Sequence, residues 1–249
     1  MKAKTVLITG ASRGIGRATA IAFSNEGYRV GINYRSNRTS AESCLAELQG
    51  SGHQIFRADI SSRKGIEQLF NDVIEAFGRI DVLVNSAGIA IENSMEQTPD
   101  EWLAAWDKTM DTNINGLAYC CFRAAKHMME QKSGRIINIS SRGAFRGEPD
   151  MLAYGASKGA VNSLTQSLAK ALGKYNIGVT AVAPGFVNTD MAEGILKSPE
   201  GEMLINESPF NRVAEPEEVA KTVLFLAGES SLFLSGTIVD VNGASYFRM

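Results

Sequence analysis

Tyr154 and Lys158 stand four residues apart in the segment Tyr-Gly-Ala-Ser-Lys, and this pair could perform proton transfer. Residues at this spacing lie on the same face of an α-helix. An ammonium group beside a phenol stabilises the phenolate, which lowers the pKa of the phenol toward neutral pH. The pair is therefore a candidate acid–base centre, although the same two residue types also occur at this spacing on ordinary solvated helix surfaces.

A glycine-rich turn follows the first apolar segment of the chain. Gly10, Gly14 and Gly16 lie in Thr-Gly-Ala-Ser-Arg-Gly-Ile-Gly, between a β-type run and an amphipathic stretch. Such glycines permit a tight turn and a close approach of the backbone to a diphosphate, and the following helix N-terminus attracts negative charge. A plain strand-to-helix loop is the alternative, but the flanking elements favour nucleotide binding.

The second apolar segment ends without an acidic residue. Residues 32–38 read Ile-Asn-Tyr-Arg-Ser-Asn-Arg, and Arg13 in the glycine turn adds a further guanidinium. An acid at this place binds the ribose 2′-hydroxyl of NAD, whereas a basic residue accommodates the 2′-phosphate of NADP. Arg13 and Arg35 therefore predict NADP(H), unless Arg35 and Arg38 are merely solvated loop charges.

The elements that must position these residues alternate along the whole chain. The predicted strands are residues 4–9, 28–34, 53–58, 80–85, 134–140, 177–183 and 237–242. The amphipathic segments between them are residues 15–26, 41–50, 62–77, 100–130, 153–175 and 215–228. Nearly all-apolar strands linked by helices indicate a parallel sheet covered on both faces. The sequence predicts an α/β, single-domain doubly wound (Rossmann) fold with a seven-stranded parallel sheet over residues 1–249.

One long segment has no clear periodicity. Residues 184–212 follow a predicted strand, are rich in glycine and proline, and carry apolar side chains such as Phe186, Met191 and Leu204. Long segments without regular structure inside compact domains are often lids over ligands. We expect residues 184–212 to form a substrate lid.

Composition excludes several classes of protein. The chain is 44% hydrophobic and 21% charged, with a formal net charge of −2, so it has no basic footprint for nucleic acid or membrane. Its N-terminus lacks the features of a signal peptide and no segment is long enough to cross a bilayer, which predicts a cytoplasmic protein.

Cysteine and histidine placement argues against a disulfide framework and a metal site. Cys44, Cys120 and Cys121 are few and irregularly spaced, and the pair at 120–121 is typical of a buried helix. The two histidines, His53 and His127, stand alone, without the partners that a metal site or a Ser-His-Asp triad requires.

The chain resembles the short-chain dehydrogenase/reductase family over nearly its whole length. The motifs that carry the resemblance, in the family's order, are Gly10/Gly14/Gly16, Asp59, Asn85-Ser86-Ala87-Gly88, Asn113, Ser141, Tyr154 with Lys158, and Pro184-Gly185 with Thr189. Each motif is weak alone, but their order and spacing together are specific. Two departures are Ser86, where a second asparagine is frequent, and Val-Asn-Gly-Ala at 241–244, where Val-Asp-Gly-Gly is usual.

The resemblance implies a catalytic tetrad of Asn113, Ser141, Tyr154 and Lys158. Tyr154 would protonate the substrate carbonyl oxygen during reduction, and Ser141 would orient that oxygen by a hydrogen bond. Lys158 would hold the nicotinamide ribose and favour the phenolate, and Asn113 would position a water that links Lys158 to solvent. The family's spacing to the tyrosine selects Ser141 over its neighbour Ser140, which we expect to pack into the sheet.

The resemblance also implies a set of cofactor contacts. Asp59 would bond the adenine amino group beside Ile60, and Thr189 with the backbone of Val187 would bind the nicotinamide carboxamide. The full predicted set is Gly10, Ser12, Arg13, Gly14, Ile15, Gly16, Tyr34, Arg35, Asp59, Ile60, Asn85, Ala87, Gly88, Tyr154, Lys158, Pro184, Gly185, Val187 and Thr189.

Within the family, residues 185–191 and 209–220 are most similar to reductases of 3-oxoacyl thioesters on acyl carrier protein. That resemblance implies a basic docking site for the carrier protein beside the active-site mouth, where Lys132 and Lys174 are candidates unless they are ordinary surface charges. Tyr175 stands where an arginine is expected. Reduction of another small ketone, a sugar or a steroid is the alternative.

Two other functions are possible on such a fold. A non-catalytic nucleotide-sensing regulator usually lacks the tyrosine or the lysine, and a lyase or dehalogenase tolerates a disrupted glycine turn; this chain keeps all of these features. The resemblance further implies a homotetramer, with helices at 100–130 and 153–175 in one interface and the last helix and strand in another.

Overall fold

A parallel β-sheet forms the centre of the computed structural model, which describes residues 3–196, 198 and 201–248. The strands are β1 (Thr5–Thr9), β2 (Arg29–Tyr34), β3 (Gln54–Arg57), β4 (Val82–Asn85), β5 (Gly134–Ile139), β6 (Ile177–Pro184) and β7 (Ile238–Val241). Within the described residues they form one seven-stranded sheet in the order β3-β2-β1-β4-β5-β6-β7. Every predicted strand overlaps an observed one, so the predicted doubly wound parallel sheet is confirmed. The single-domain assignment over residues 1–249 stays a prediction, and residues 1, 2 and 249 lie outside the described part.

Helices connect the strands and cover both faces of the sheet. They are α1 (Gly14–Asn25), α2 (Arg38–Glu47), α3 (Arg63–Phe77), α4 (Pro99–Met110), α5 (Leu117–Gln131), α6 (Gly143–Arg146), α7 (Leu152–Leu172), α8 (Asp190–Leu196), α9 (Gly201–Asn206) and α10 (Pro216–Ala227). The predicted helices correspond to α1, α2, α3, α4 with α5, α7 and α10. Three short helices, α6, α8 and α9, were not predicted, because four to seven residues are too few to show a helical period.

The alternation of side chains along the strands divides the core into two layers. In β1, Leu7 packs with α3, α5 and α7, whereas Val6 and Ile8 pack with α1 and α10 on the other face. In β5, Ile136 and Ile137 divide in the same way. Because both faces of the strands are buried, their sequences are continuously apolar.

The order of the strands creates a binding crevice. β1 lies between β2 and β4, so the chain reverses its winding direction there. In open parallel sheets, ligands bind outside the carboxyl ends of the strands at such a switch point. The glycine turn after β1 and residues 86–88 after β4 therefore meet at one edge.

A short π-helix, Asp111–Gly116, joins α4 to α5 inside what was predicted as one continuous helix. Single π-turns within α-helices are common at functional sites, since the widened turn changes the direction of a side chain. Here the widened turn carries Asn113, a predicted catalytic residue.

Two short helices occupy the segment 184–212 that was predicted to be an irregular lid. α8 and α9 lie within it, and residues 197, 199 and 200 are outside the described part of the chain. Asn206 ends α9, and Glu207 follows it directly. The role of this segment as a substrate lid stays a prediction.

Candidate active site

The glycine turn after β1 has the close backbone contacts that its sequence predicted. Gly10 has a φ of +65°, and a Cβ on this residue would lie 2.7 Å from the Cα of Ala87. A Cβ on Gly16 would overlap the carbonyl oxygen of Gly10. A side chain at either position would separate the turn from β4 or from the start of α1. The predicted tight turn is thus confirmed, and α1 begins at Gly14 with its N-terminus at the turn.

Buried polar side chains hold this turn, and the sequence analysis missed them. Thr9 Oγ1 accepts hydrogen bonds from the backbone N–H groups of Ser86 and Ala87, each at 3.2 Å. Asn33 Oδ1 accepts a hydrogen bond from Gly10 N at 3.4 Å. The signal that could have identified them is the presence of a polar residue near the end of an otherwise apolar strand.

A cleft of about 460 Å³ opens at this edge of the sheet. The predicted cofactor residues that line it are Gly10, Ser12, Arg13, Gly14, Ile15, Gly16, Tyr34, Arg35, Asp59, Ile60, Ala87, Gly88 and Thr189. Lining residues that were not predicted are Asn33, Ser36, Asn37, Ser40, Ala58, Ser86, Ile89, Thr112, Asp190 and Met191. The structure therefore brings the glycine turn, the ends of β2 and β3 and the loop after β4 around one elongated space.

Asn85 does not line this cleft, contrary to the sequence-based expectation. Its side chain is buried, and Nδ2 donates to Asn138 Oδ1 at 2.9 Å and to Cys121 Sγ at 3.2 Å. Asn138 Nδ2 in turn donates to Thr165 Oγ1 at 2.9 Å. Asn85 is paired in register with Asn138, so its amide lies between strands and cannot reach a ribose in the cleft. It connects β4 to β5 and, through Thr165, to α7.

The four predicted catalytic residues come from three different elements. Ser141 follows β5, Tyr154 and Lys158 lie on α7, and Asn113 lies in the π-helix. A Cβ placed on Gly88 would be 3.4 Å from Asn113 Oδ1 and 3.6 Å from Lys158 Nζ. Gly88 lines the cleft, so Asn113 and Lys158 lie directly behind its wall, and Tyr154 and Ser141 adjoin Lys158. None of the four side chains lines the cleft itself, including Tyr154 and Lys158, which were predicted to contact the cofactor.

The two neighbouring serines have different surroundings. Ser140 is buried, and its hydroxyl donates to Asn162 Oδ1 at 2.7 Å. Ser141 accepts a hydrogen bond from Gly143 N at 3.0 Å and is hydrogen-bonded to the Tyr154 side chain. Ser140 was expected to pack into the sheet; it is buried, but its hydroxyl bonds to Asn162 on α7. Ser141 is the serine beside the tyrosine.

The electrostatics of the pair differ from the expectation. Burial raises the pKa of Tyr154, the hydrogen bond from Ser141 opposes this, and the negative charge of Glu148 raises it further. Burial lowers the pKa of Lys158 to about 8. Lys158 Nζ donates to the carbonyl oxygen of Ile139 at 2.8 Å and lies 5.6 Å from the centre of the Tyr154 ring. The expected depression of the tyrosine pKa by the ammonium group is therefore wrong for this arrangement, because burial has the larger effect.

Asn113 holds the loop after β4. Its Oδ1 accepts from Ile89 N at 2.9 Å, and its Nδ2 donates to Ile89 O at 2.8 Å and to Ser157 Oγ at 3.2 Å. The side chain thus connects that loop to α7. The role expected for Asn113, positioning a water for Lys158, stays a prediction.

The residues expected at the nicotinamide end lie around the start of the lid segment. Thr189 lines the cleft and donates through Oγ1 to Val187 O at 3.4 Å. Val187 is buried and forms a parallel bridge with Ala214. Pro184 ends β6, and Gly185 N donates to Val241 O at 3.0 Å. Pro184, Gly185 and Val187 therefore support the place where Thr189 meets the cleft but do not themselves line it.

Lys132 and Lys174 do not lie beside this site in the single chain. Lys132 precedes β5 and Lys174 precedes β6, whereas the site is at the carboxyl ends of the strands. The eight residues of β6 alone span roughly 23 Å. The expected placement of both lysines at the active-site mouth is wrong for one chain, because residues at opposite ends of a parallel strand lie at opposite edges of the sheet.

Among the described residues, no group of three or more His, Cys, Asp or Glu side chains is arranged to hold a metal ion. Cys120 and Cys121 are fully buried in α5, as their apolar surroundings predicted. In the same part of the chain, no helix combines the length and apolar character needed to span a membrane.

Comparison with known proteins agrees with this geometry. Residues 10–244 match a family model described as "Enoyl-(Acyl carrier protein) reductase". The chain is 36% identical over 245 residues to the 3-oxoacyl-[acyl-carrier-protein] reductase FabG of Staphylococcus epidermidis, covering 98% of this chain and 99% of that protein. It is 37% identical over 246 residues to the 3-oxoacyl-[acyl-carrier-protein] reductase of a Synechocystis species, covering 98% of this chain and 97% of that protein.

Solved structures show the same architecture. The crystal structure of gox2181 superposes with a TM-score of 0.91 at 30% identity, covering 98% of this chain and 96% of that one. The acetoin dehydrogenase YohF of Salmonella typhimurium gives a TM-score of 0.85 at 29% identity, covering 98% and 97%.

The fold and the site define an oxidoreductase that uses a nicotinamide cofactor. The chain belongs to the short-chain dehydrogenase/reductase family.

Proposed function

We propose that this protein is an NADPH-dependent reductase of 3-oxoacyl thioesters carried on acyl carrier protein. The observation that carries the proposal is the cluster of Ser141, Tyr154, Lys158 and Asn113 directly behind Gly88, which lines the cleft of about 460 Å³ beside the glycine turn. Relatives at 35 to 37% identity are named 3-oxoacyl-[acyl-carrier-protein] reductases, and these names supply the substrate class.

The cleft residues fit a dinucleotide. The turn after β1 leaves no room for a Cβ on Gly10 or Gly16, and the N-terminus of the twelve-residue helix α1 points at the same place. Both features favour a diphosphate, since exposed N–H groups and the helix dipole stabilise negative charge. Oδ1 of Asp59 accepts hydrogen bonds from the backbone N–H and the hydroxyl of Ser61. The other carboxylate oxygen, Oδ2, is therefore available to an adenine amino group.

Each catalytic side chain has a separate task in this proposal. The bound nicotinamide would supply hydride to the carbonyl carbon. The Tyr154 phenol donates its proton to the carbonyl oxygen, and its raised pKa keeps it protonated at neutral pH. Ser141 is hydrogen-bonded to Tyr154. In the proposed reaction its hydroxyl also donates a hydrogen bond to the substrate carbonyl oxygen and stabilises the negative charge that develops there.

Lys158 is suited to binding the nicotinamide ribose. Its amine is buried and is held by the carbonyl oxygen of Ile139, with further N–H groups available to hydroxyl acceptors. Its Nζ would lie 3.6 Å from a Cβ on Gly88, which lines the cleft. Because burial lowers its pKa to about 8, the group is mostly charged at pH 7 and can release a proton in mildly basic solution.

The choice of NADPH over NADH is proposed from exposed guanidinium groups at the mouth of the cleft. Arg35 is exposed in the lining, and Arg57 Nε donates to the carbonyl oxygen of Arg35 at 3.3 Å. Arg13 is exposed as well, and its nearest carboxylate oxygen, on Asp190, is 3.7 Å away. These loosely paired cations suit the 2′-phosphate of NADP.

Replacing Arg35 with alanine is expected to raise the KM for NADPH about 10-fold and to leave the KM for NADH within about 2-fold. A charge-assisted contact to phosphate contributes about 1.5 to 3 kcal/mol, and NADH lacks the phosphate. Steady-state assays with each cofactor measure the ratio. Lys64→Ala, an exposed change outside the cleft lining, is the control. An equal loss for both cofactors would contradict the assigned role of Arg35.

The substrate proposal is tested by following NADPH absorbance with a panel of ketones. We expect faster turnover, per enzyme, of a 3-oxoacyl thioester than of cyclic ketones or sugars, and faster turnover again when the thioester is on acyl carrier protein. Brisk reduction of another ketone with no turnover of either thioester would refute the substrate class but not the reductase chemistry.

A small polar ketone is the second candidate substrate, and one observation favours it. Glu148 lies in the segment between Ser141 and Tyr154, is close enough to affect the pKa of Tyr154, and pairs with Arg146 at 3.4 Å. A charged pair beside the reacting carbonyl suits hydroxyl-bearing substrates better than an acyl chain. The same panel distinguishes the two candidates.

We also propose that the protein is a cytoplasmic homotetramer. Large apolar side chains are exposed on both helix faces that the family uses for assembly: Leu103 on α4, Phe122 on α5 and Phe225 on α10. Exposed large apolar side chains on the helices that the family uses for assembly support this proposal, since burial against a second subunit would remove them from water.

A further inference from the structure

A buried arginine stands directly after the proposed catalytic serine. Arg142 is only 3% exposed, and its guanidinium contacts three other segments of the chain. Nη2 lies 2.5 Å from Glu207 Oε2, an ion pair without hydrogen-bond alignment, and Nη1 donates to Ser245 Oγ at 2.6 Å. The guanidinium carbon lies 4.9 Å from the centre of the Phe186 ring. The backbone N of Arg142 also donates to the last carbonyl of β6.

A second arginine, Arg146, also binds the Glu207 carboxylate. Arg146 Nη1 lies 2.9 Å from Glu207 Oε1 and 3.2 Å from Oε2. Glu207 follows α9, in the part of the lid segment that spans residues 201–211. One lid carboxylate is therefore held by two guanidiniums that both belong to the short segment between Ser141 and Tyr154.

If its role were only structural, this buried ion pair would lower the stability of the fold, because a charged group is removed from water. Burial lowers the pKa of Arg142, and the neighbouring Arg146 charge lowers it further, so Glu207 is needed to keep the guanidinium in place. Apolar side chains of similar size stabilise such a position equally well in many proteins. What the ion pairs add is specificity: they fix one register between residues 201–211 and the serine, because a shifted register would leave the buried Arg142 charge without its carboxylate.

We propose that Arg142 and Arg146 are positioning residues that lock residues 201–211 of the lid through Glu207, so that a bound ketone is held against Ser141 and Tyr154. The lock acts on the substrate side of the site. It does not touch the glycine turn or the end of β2, where the cofactor is proposed to bind.

Glu207→Gln is the main test, because the amide keeps the shape of the side chain and removes its charge. We expect the KM for the ketone to rise about 10-fold, with the Kd for NADPH, measured by fluorescence titration, unchanged within about 2-fold. Backbone amides of residues 201–211 should exchange hydrogen about 10-fold faster. Arg142→Met should likewise raise the KM and speed the exchange while leaving the Kd for NADPH unchanged, and Lys4→Met, which removes the surface ion pair with Glu229, should change none of the three.

A merely structural role would give a different result. Loss of stability would lower kcat per total protein in proportion to the unfolded fraction and would leave the KM for the ketone unchanged, and that outcome would overturn the proposal. Unchanged exchange over residues 201–211 in Glu207→Gln would overturn it too. If Arg142→Met does not fold, Glu207→Gln alone decides, since Glu207 is partly exposed.

The kinetic part of this test rests on the proposed reductase activity, but the exchange part does not. If the wild-type protein reduces no ketone, the proposed function fails while hydrogen exchange still reports on the lock. If the wild-type protein is active and Glu207→Gln has the wild-type KM and exchange rates, only the lock fails.

Discussion

Replacing Tyr154 with phenylalanine is expected to lower the rate of ketone reduction about 1,000-fold, within the range for loss of a general acid. The Tyr154 phenol, which lies next to Ser141, is the group proposed to deliver a proton to the carbonyl oxygen. Burial and the charge of Glu148 both hold its pKa above the ordinary tyrosine value, so the proton is present throughout the neutral range. Phenylalanine keeps the ring and removes this proton.

The affinity for NADPH should remain within about 2-fold of wild type in Tyr154→Phe, since the glycine turn and the ends of β2 and β3 are unchanged. Single-turnover NADPH oxidation and a fluorescence titration of NADPH measure the two quantities. Tyr28→Phe is the matched control, because Tyr28 packs edge-on against Phe23 on the other face of the sheet. Reduction by Tyr154→Phe at more than about a tenth of the wild-type rate would refute the proton-donor assignment.

Replacing Lys158 with methionine is expected to abolish most activity and yet stabilise the fold. Burial lowers the pKa of Lys158 from 10.5 to about 8. A shift of this size means that keeping the ammonium charged in the folded protein costs about 3 kcal/mol at pH 7. Methionine fills similar volume without a charge but loses the hydrogen bond to Ile139 O, which is worth about 1 to 2 kcal/mol. The free energy of unfolding should therefore rise by about 1 to 2 kcal/mol at pH 7.

The gain in stability should depend on pH in one direction. Below pH 8, Lys158 is charged in both the folded and the unfolded wild-type protein, and the full cost of burial is present. Between pH 8 and 10.5 the folded protein binds fewer protons than the unfolded chain, so wild-type stability rises with pH. The advantage of Lys158→Met should thus be largest below pH 8, vanish near about pH 9 and reverse by about pH 10.5, where only the lost hydrogen bond to Ile139 O distinguishes the two proteins.

Urea unfolding of both proteins at pH 7 and pH 10 measures this effect, and NADPH oxidation measures the loss of activity, which we expect to be at least 100-fold. Lys170→Met, on the exposed end of the same helix, is the control and should alter neither quantity. A variant that is less stable than wild type at pH 7 would contradict the conclusion that Lys158 is held at the expense of stability.

The strand and helix positions were predictable because each long element repeats a pattern. Continuous apolar runs indicated strands buried on both faces, and the glycine turn indicated where the first strand meets its helix. The short helices α6, α8 and α9 were missed, since so few residues carry no period. The π-turn at Asn113 was missed for another reason: one extra residue in a helical turn leaves no mark in the pattern.

The candidate residues were predictable by type, but several of their contacts were not. Asn85 was expected in the cleft and instead bridges to Asn138, because register between strands decides which way an amide points. Lys132 and Lys174 were expected at the active-site mouth, and the direction of β5 and β6 places them at the opposite edge.

The sequence by itself determined the class of chemistry: a phenol, an amine and a hydroxyl at family spacing, downstream of a turn that only glycine can form. Only the tertiary structure decided how these groups influence one another. Burial controls the pKa of Tyr154 and of Lys158, and burial depends on what packs around a side chain rather than on its neighbours in sequence. For the same reason the pairing of Arg142 and Arg146 with Glu207 could not be predicted, since it joins residues about 60 positions apart that only the tertiary fold brings together.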